Sequence, residues 1–557
     1  MTSKLQDNFA GEILNDEKTL ATYSHDASIF EVKPEAVVFP KNVEEVKQLV
    51  KYVSTQKPND KNLSLTARSG GTDMAGGSIN ESILVDFTKY FNHILEVKKV
   101  APFTNAKGKK VIGEATVEPG VYYRDFDPKT LEIGAIMPTF PASREICTVG
   151  GMAANNSGGE MSLGYGQTKN YIKELKVVLS DGEEHTFGEL DEEQLQEKMK
   201  LKNFEGDIYR RMFSLLEGDF EFIQSKRPTT SKNSSGYFLW DVWDKKKFNL
   251  CKLFAGSQGT LGLTTQIKFD LVPQRQPSQL LVIFLKDLVK LGEIAETVMK
   301  YSPDTFESYD DNTLNLAIRF LPQMILSMKG GIFKLGWQFL PEMGLALTGG
   351  MPKMVLIAEF SGTSEVEILA KISPISQELK NKFNVKTHIT KSVLEAQKYW
   401  TIRRESFNLL RKHVRGISTA PFIDDIIVHP NQLPEFLPRL NEILKKYPQM
   451  FYTIAGHAGD ANFHIIPLLD LKLEKNRQAI AELSAKVYDL VLEYKGSITA
   501  EHNDGLIRTP YLEKMYGKEM CALFEKTKEI FDPQNIFNPG KKVHGSLQYA
   551  LDHIKKG

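Results

Sequence analysis

The chain has 557 residues, too many for one hydrophobic core, so two or three domains are expected. Hydrophobic residues make up 41% and charged residues 25%, an ordinary globular balance, and the formal net charge of zero gives no electrostatic reason for a nucleic-acid partner. Only three cysteines occur, Cys147, Cys251 and Cys521, in no CxxC pattern, which excludes a cysteine-ligated iron–sulfur cluster and argues against a disulfide framework.

The N-terminal half reads as alternating strands and helices. The first residues lack the apolar core of a signal peptide, so cytoplasmic residence is expected, with peripheral contact on the inner membrane face as an extension. Residues 35–40 form a short apolar strand, followed by an amphipathic helix over 42–53 capped by Asn42. A second strand over 63–67 runs into a loop containing Arg68, Ser69, Gly70, Gly71, Thr72, Asp73, Gly76 and Gly77. Such loops let backbone N–H groups close on a phosphate without obstruction. No Gly-Lys-Ser/Thr follows, so this is not a Walker loop, and it is not the dinucleotide fingerprint either.

A second tract of small residues starts at Pro138 and carries Ser143, Thr148, Gly150, Gly151, Ala154, Asn155 and Gly158, then Tyr165 and Gly166. The chain resumes as an apolar strand over 172–179. A third tract includes Gly256, Gly259 and Gly262 and precedes another alternating strand. Any one tract reads equally well as a turn. Three in this order line a groove for an extended cofactor, with pyrophosphate on the first loop and the ring system along the second.

The segment 316–354 is apolar, aromatic and glycine-broken, with Lys329, Lys334 and Lys353 along it. It reads either as a buried helical insertion or as a monotopic surface touching a bilayer. No run of eighteen apolar residues exists, so no transmembrane helix is expected.

His457 and His464 stand among glycines and cannot share a continuous helix. A strand–turn–strand reading brings both imidazoles to one point, where a carboxylate from elsewhere would complete an open His/His/Glu site for a catalytic divalent metal. Glu501-His502 supplies such a carboxylate next to an imidazole able to move a proton.

Together these motifs, from Tyr23-Ser24-His25-Asp26 to Asn535-Ile536-Phe537-Asn538-Pro539-Gly540, resemble FAD-dependent oxidoreductases of the vanillyl-alcohol oxidase type. Within that group the chain is most similar to the D-lactate, glycolate and D-2-hydroxyglutarate dehydrogenases. The resemblance implies an α+β architecture: a two-part FAD-binding domain of the vanillyl-alcohol oxidase (PCMH) type over 1–273 and an α+β cap domain with an antiparallel sheet over 274–505. A C-terminal segment, 506–557, would return to the flavin through Asn538. The same resemblance assigns His457, His464 and Glu501 as ligands of zinc, iron or manganese. It assigns Arg403, three residues after Trp400, as the holder of a substrate carboxylate, which suits the bidentate fork of guanidinium. If that segment is helical, Arg403 and Arg404 point about 100° apart and only one faces the pocket.

The implied reaction oxidises a 2-hydroxy acid, with hydride going to the flavin and His502 taking the hydroxyl proton. Electrons then leave to a quinone, cytochrome or electron-transfer protein. FAD is expected to be non-covalent, since the first loop has neither histidine nor cysteine; Cys147 stands in the second tract. Three departures bear on the substrate. No lysine stands in 421–430, where 2-hydroxyglutarate dehydrogenases place one, and Asp424 and Asp425 would oppose a dicarboxylate if they face the pocket. Asn503 replaces a glycine, and so does Ala461. A small monocarboxylate, D-lactate first, is favoured. A different chemistry on the same architecture, flavin-dependent alkyl transfer of the ether-lipid synthase type, would suit the apolar 316–354 segment.

Overall fold

The computed structural model describes residues 9–319, 351–413, 418–448 and 450–556. Residues 320–350, the middle of the apolar segment, lie outside them, so its two readings stand as before. Among the described residues no helix is long and apolar enough to cross a membrane. Two compact units emerge, one drawn from Met1–Gly159, Tyr165–Gln274 and Ile498–Lys556, the other from Glu160–Gly164 and Arg275–Ser497.

The first unit holds two sheets. A four-stranded sheet runs in the spatial order Glu12–Leu14, Ala36–Phe39, Ile83–Asp86, Leu65–Arg68, with parallel pairing among the last three. The strand and helix expected over 35–53 are present. Helix Val43–Gln56 starts where Asn42 Oδ1 accepts from Glu45 N at 3.1 Å, satisfying an amide that the first turn leaves over. Its apolar stripe of Val46, Leu49, Val50 and Val53 packs against Val38, Leu65 and Val85.

The second sheet of this unit is antiparallel. Its order is Phe248–Asn249, Glu184–Leu190, Ile172–Val178, Leu263–Pro273, Lys110–Val117 and Ile94–Thr104, with Ala135–Ile136 also on Leu263–Pro273. The two sheets are the two parts of the expected flavin-domain architecture. Strand Leu65–Arg68 delivers the first glycine loop, and Leu263–Pro273 follows directly on the third tract.

The other unit is built on one antiparallel sheet. Spatially it runs Lys386–Ile389, Ser278–Leu285, Met354–Ser361, Thr305–Asp310, Phe451–His457, Asn462–Leu469 and Ser418–Thr419, with Ile426–Ile427 also on Asn462–Leu469. Helices including Glu365–Phe383, Val393–His413 and Leu433–Lys445 belong to it. The last buries Leu433, Phe436, Leu437, Leu440 and Leu444, the spacing of a single helical face.

Candidate active site

Within the first unit the three tracts meet. The hydroxyls of Ser69 and Thr148 lie 2.6 Å apart, joining the first loop to the second. Asn155 Nδ2 donates to Asp73 Oδ1 at 3.0 Å, and Gln258 Nε2 donates to Asn155 Oδ1 at 3.4 Å, bringing in the third. Asn538 closes the set: its backbone N donates to Leu65 O, and its Nδ2 donates to Gly77 O and Gln258 O, each at 2.7 Å. Thr148 caps helix Val149–Asn155 by accepting from Gly151 N at 3.2 Å.

Gly71, Gly76 and Gly259 adopt φ of +62°, +81° and +68°, where any side chain strains the backbone. The loops therefore present bare main chain, the surface on which a pyrophosphate and a planar ring can pack, so these residues fit an extended flavin nucleotide. The expected residues do different jobs. Arg68 turns its guanidinium onto His25 O at 2.6 Å and over the Tyr23 ring, and Asn538 is fully buried in protein hydrogen bonds. Gly150 is held by packing, since a Cβ there would meet Pro119 at 2.5 Å. Pro138 and Gly158 are buried, Ser143 O accepts from Ile146 N, and Tyr165 O accepts from the Tyr171 hydroxyl. Gly166 and Gly262 also lie at positive φ.

Glu501 and His502 belong to this unit. Glu501 Oε1 accepts from Lys232 Nζ at 2.7 Å, and both side chains are buried, so the carboxylate's charge is compensated. Next to them Asn503 has φ +68°. Asparagine tolerates the left-handed region better than most side-chain-bearing residues, so it can hold this turn. Its Nδ2 donates to Gly256 O at 2.9 Å. Asp504 pairs with Lys542, whose Nζ also donates to Ser234 O and Gly236 O.

In the other unit the two histidines do occupy a hairpin. Strands Phe451–His457 and Asn462–Leu469 pair with His457 opposite Asn462 and Ala455 opposite His464, and the turn passes through Ala461 at φ +53°. Gly456 is required, because a Cβ there would meet Asn462 O at 2.2 Å. The imidazole centroids lie 5.3 Å apart.

Each ring is set by a carboxylate. His457 Nδ1 lies 2.5 Å from Glu307 Oε1, and His464 Nδ1 lies 3.0 Å from Asp424 Oδ1. An ionised carboxylate only accepts, so this arrangement places the proton on Nδ1 and the lone pair a metal could use on Nε2. Two imidazoles with that orientation fit a borderline divalent metal. Asp425 is likewise turned inward, accepting from Asn462 Nδ2 at 3.1 Å.

The segment after Trp400 is helical, within Val393–His413, and the two arginines diverge. Arg403 Nε donates to Glu307 Oε2 at 3.1 Å, while Arg404 makes a two-nitrogen bridge to Glu160. Sequence reasoning missed Glu307, Lys232 and the role of Asp424. None sits in a recognisable motif; strand register and long-range packing alone bring them to these partners.

Burial pushes the Cys147 thiol up to about 12, making it a poor nucleophile at neutral pH.

Residues 34–188 match the family described as FAD binding domain, and residues 274–542 match FAD linked oxidases, C-terminal domain. The chain therefore matches both domains of an FAD-linked oxidase, in that order along the sequence. It is 27% identical over 540 residues to a D-2-hydroxyglutarate dehydrogenase of Pseudomonas putida, covering 96% of this chain but only 50% of that protein's length. It is 26% identical to the glycolate oxidase subunit GlcD of Bacillus subtilis, covering 93% of this chain and 91% of the relative. To a D-lactate dehydrogenase of Archaeoglobus fulgidus it is 28% identical, covering 91% of each.

Among solved structures, 4-ethylphenol oxidase from Gulosibacter chungangensis aligns with TM-score 0.68 and 16% identity over 98% of this chain and 97% of that one. An alkyldihydroxyacetonephosphate synthase aligns with TM-score 0.64 and 13% identity over 96% and 84%. At these identities the likeness shows the vanillyl-alcohol oxidase fold and nothing of the chemistry.

Proposed function

We propose that this protein is an FAD-dependent dehydrogenase that oxidises a small D-2-hydroxy acid, D-lactate first, to the 2-oxo acid. The observation that carries the reading is the histidine hairpin with its carboxylate supports, joined through Glu307 to Arg403. A purely structural hairpin has no need of two oriented imidazoles and a guanidinium, its side chain only 13% exposed, in one network.

When bound, the flavin supplies a hydride acceptor and a divalent metal supplies a Lewis acid at the hydroxyl oxygen. The residues proposed to hold the metal are His457, His464 and Glu501. Arg403, with Nε fixed by Glu307, meets the substrate carboxylate with its terminal nitrogens. His502 takes the hydroxyl proton, a task suited to an imidazole near neutral pH. The tract residues around 70–76, 148–155 and Gly259 carry the nucleotide, with Arg68 and Asn538 as their supports. The high-pKa Cys147 thiol favours non-covalent flavin.

A monocarboxylate is favoured because 421–430 offers no lysine for a second carboxylate; the relatives matched over nine-tenths or more of their length divide between a D-lactate dehydrogenase and glycolate oxidase subunits on one side and a D-2-hydroxyglutarate dehydrogenase on the other. Asp424 and Asp425 are fully buried and engaged with the hairpin, so their charges argue less against a dicarboxylate than the missing lysine does. Electrons pass from the reduced flavin to an external quinone, cytochrome or electron-transfer protein.

The test is anaerobic mixing of the yellow protein with D-lactate, L-lactate, glycolate and D-2-hydroxyglutarate while following flavin absorbance. Fast bleaching by a D-monocarboxylate, lost in His502→Ala, is expected. Absence of bleaching by all four acids overturns the reading, and preference for D-2-hydroxyglutarate overturns the substrate assignment.

A further inference from the structure

Glu307 lies on strand Thr305–Asp310, in the interior of the eight-stranded sheet, and is 1% exposed. The strand pairs Ser308 with Gly456, so Glu307 falls opposite His457, on the same sheet face. Its flanking residues Phe306 and Ser308 are also buried. A carboxylate in such a place is costly unless each oxygen is satisfied by a strong donor. Both oxygens are: Oε1 by His457 Nδ1 and Oε2 by Arg403 Nε.

The two partners come from different elements, a hairpin strand and helix Val393–His413. A carboxyl group is rigid and planar, so a shift of one partner rotates the acceptor offered to the other. Packing alone would be met equally well by an apolar side chain, and often better. What an apolar residue cannot do is orient an imidazole and a guanidinium against each other.

We propose that Glu307 is a positioning residue that couples metal binding through His457 to carboxylate binding through Arg403. The proposal rests on the functional reading above, which assigns those two residues their ligands. Coupling of this kind is reciprocal: a carboxylate on Arg403 tightens the metal, and the metal tightens the carboxylate. Losing an outer carboxylate of a histidine ligand typically lowers metal affinity or activity 10- to 100-fold.

The experiment uses the intact metal- and flavin-loaded protein and Glu307→Gln, which keeps the side chain's size but puts an N–H where one donor needs an acceptor. Metal loss to excess EDTA is timed with and without propionate, which has a carboxylate but no hydroxyl to ligate metal. Wild-type protein should lose metal several-fold more slowly with propionate. Glu307→Gln should lose metal about 10- to 100-fold faster, without a propionate effect, and should raise KM for D-lactate more than it lowers kcat. If Glu307→Gln does not retain flavin, Glu307→Asp, charged but too short to span both partners, decides by the same two rates. Wild-type metal retention and KM in the variant, with wild-type flavin still bleached by D-lactate, overturn the coupling alone. A wild-type protein that holds no metal and is bleached by no hydroxy acid overturns the functional reading as well.

Discussion

Asn503 offers the sharpest test of how this chain holds the Glu501–His502 corner. Its φ of +68° is the left-handed conformation, and its Nδ2 donates to Gly256 O at 2.9 Å and to Asn155 O at 3.3 Å. Asn503→Ala adds the left-handed penalty, about 1–2 kcal/mol. It also strips a donor from buried carbonyls, about 1–3 kcal/mol. The sum is about 2–5 kcal/mol, a large fraction of a typical folding free energy of about 5–15 kcal/mol. Asn503→Gly loses the same hydrogen bonds but relieves the backbone, so it should be more stable than the alanine variant by about 1 kcal/mol after allowing for glycine's own entropy cost. Urea unfolding followed by circular dichroism and by flavin fluorescence measures both differences. Equal stability of the two variants, or a more stable alanine variant, would show that backbone conformation is not what selects asparagine here.

Other outcomes follow from the same geometry. His457→Ala and His464→Ala should each lower metal content and turnover while leaving flavin bound, read by elemental analysis and absorbance; full metal in either variant refutes the ligand assignment. Asn538→Asp sets a carboxylate against the carbonyls of Gly77 and Gln258, both 2.7 Å from its Nδ2, and should yield protein depleted of flavin. Cys147 and Cys251 are both buried with thiols pushed up to about 12, so a disulfide-exchange reagent at pH 8 should react with them only after unfolding. His185 is half-buried, and desolvation alone would push its pKa down, but Asp181 and Glu205 overcome this and raise it to about 9. A raised folded-state value adds stability that is fully present below about pH 6.5 and is lost as pH rises through about 9. At about 1.4 kcal/mol per pKa unit this is about 3.5 kcal/mol at most, and His185→Gln should flatten unfolding free energy across that window.

Much of the fold was legible in local pattern. The strand and helix over 35–53, with Asn42 as the cap, came out as Ala36–Phe39 and Val43–Gln56. The hairpin was legible too, because two histidines flanking a glycine-rich turn leave few backbone solutions. Divergence of Arg403 and Arg404 followed from helical geometry, and the structure gives them separate carboxylates, Glu307 and Glu160. By charge alone Asp424 and Asp425 would oppose a dicarboxylate if they faced the pocket; the structure engages both with the hairpin.

What the amino-acid sequence determined by itself is therefore the chemistry available: three small-residue tracts, two imidazoles at hairpin spacing, a Glu-His pair and an arginine after a tryptophan. These are short-range signals, set by backbone freedom and side-chain type. Tertiary structure alone decided which carboxylate stands behind which ring. Glu307 reaches His457 from 150 residues away and Lys232 reaches Glu501 from 269 residues away, separations over which no local periodicity carries information. Such partners are chosen by strand register and by the cost of leaving a buried charge unpaired, and both act only once the chain has folded.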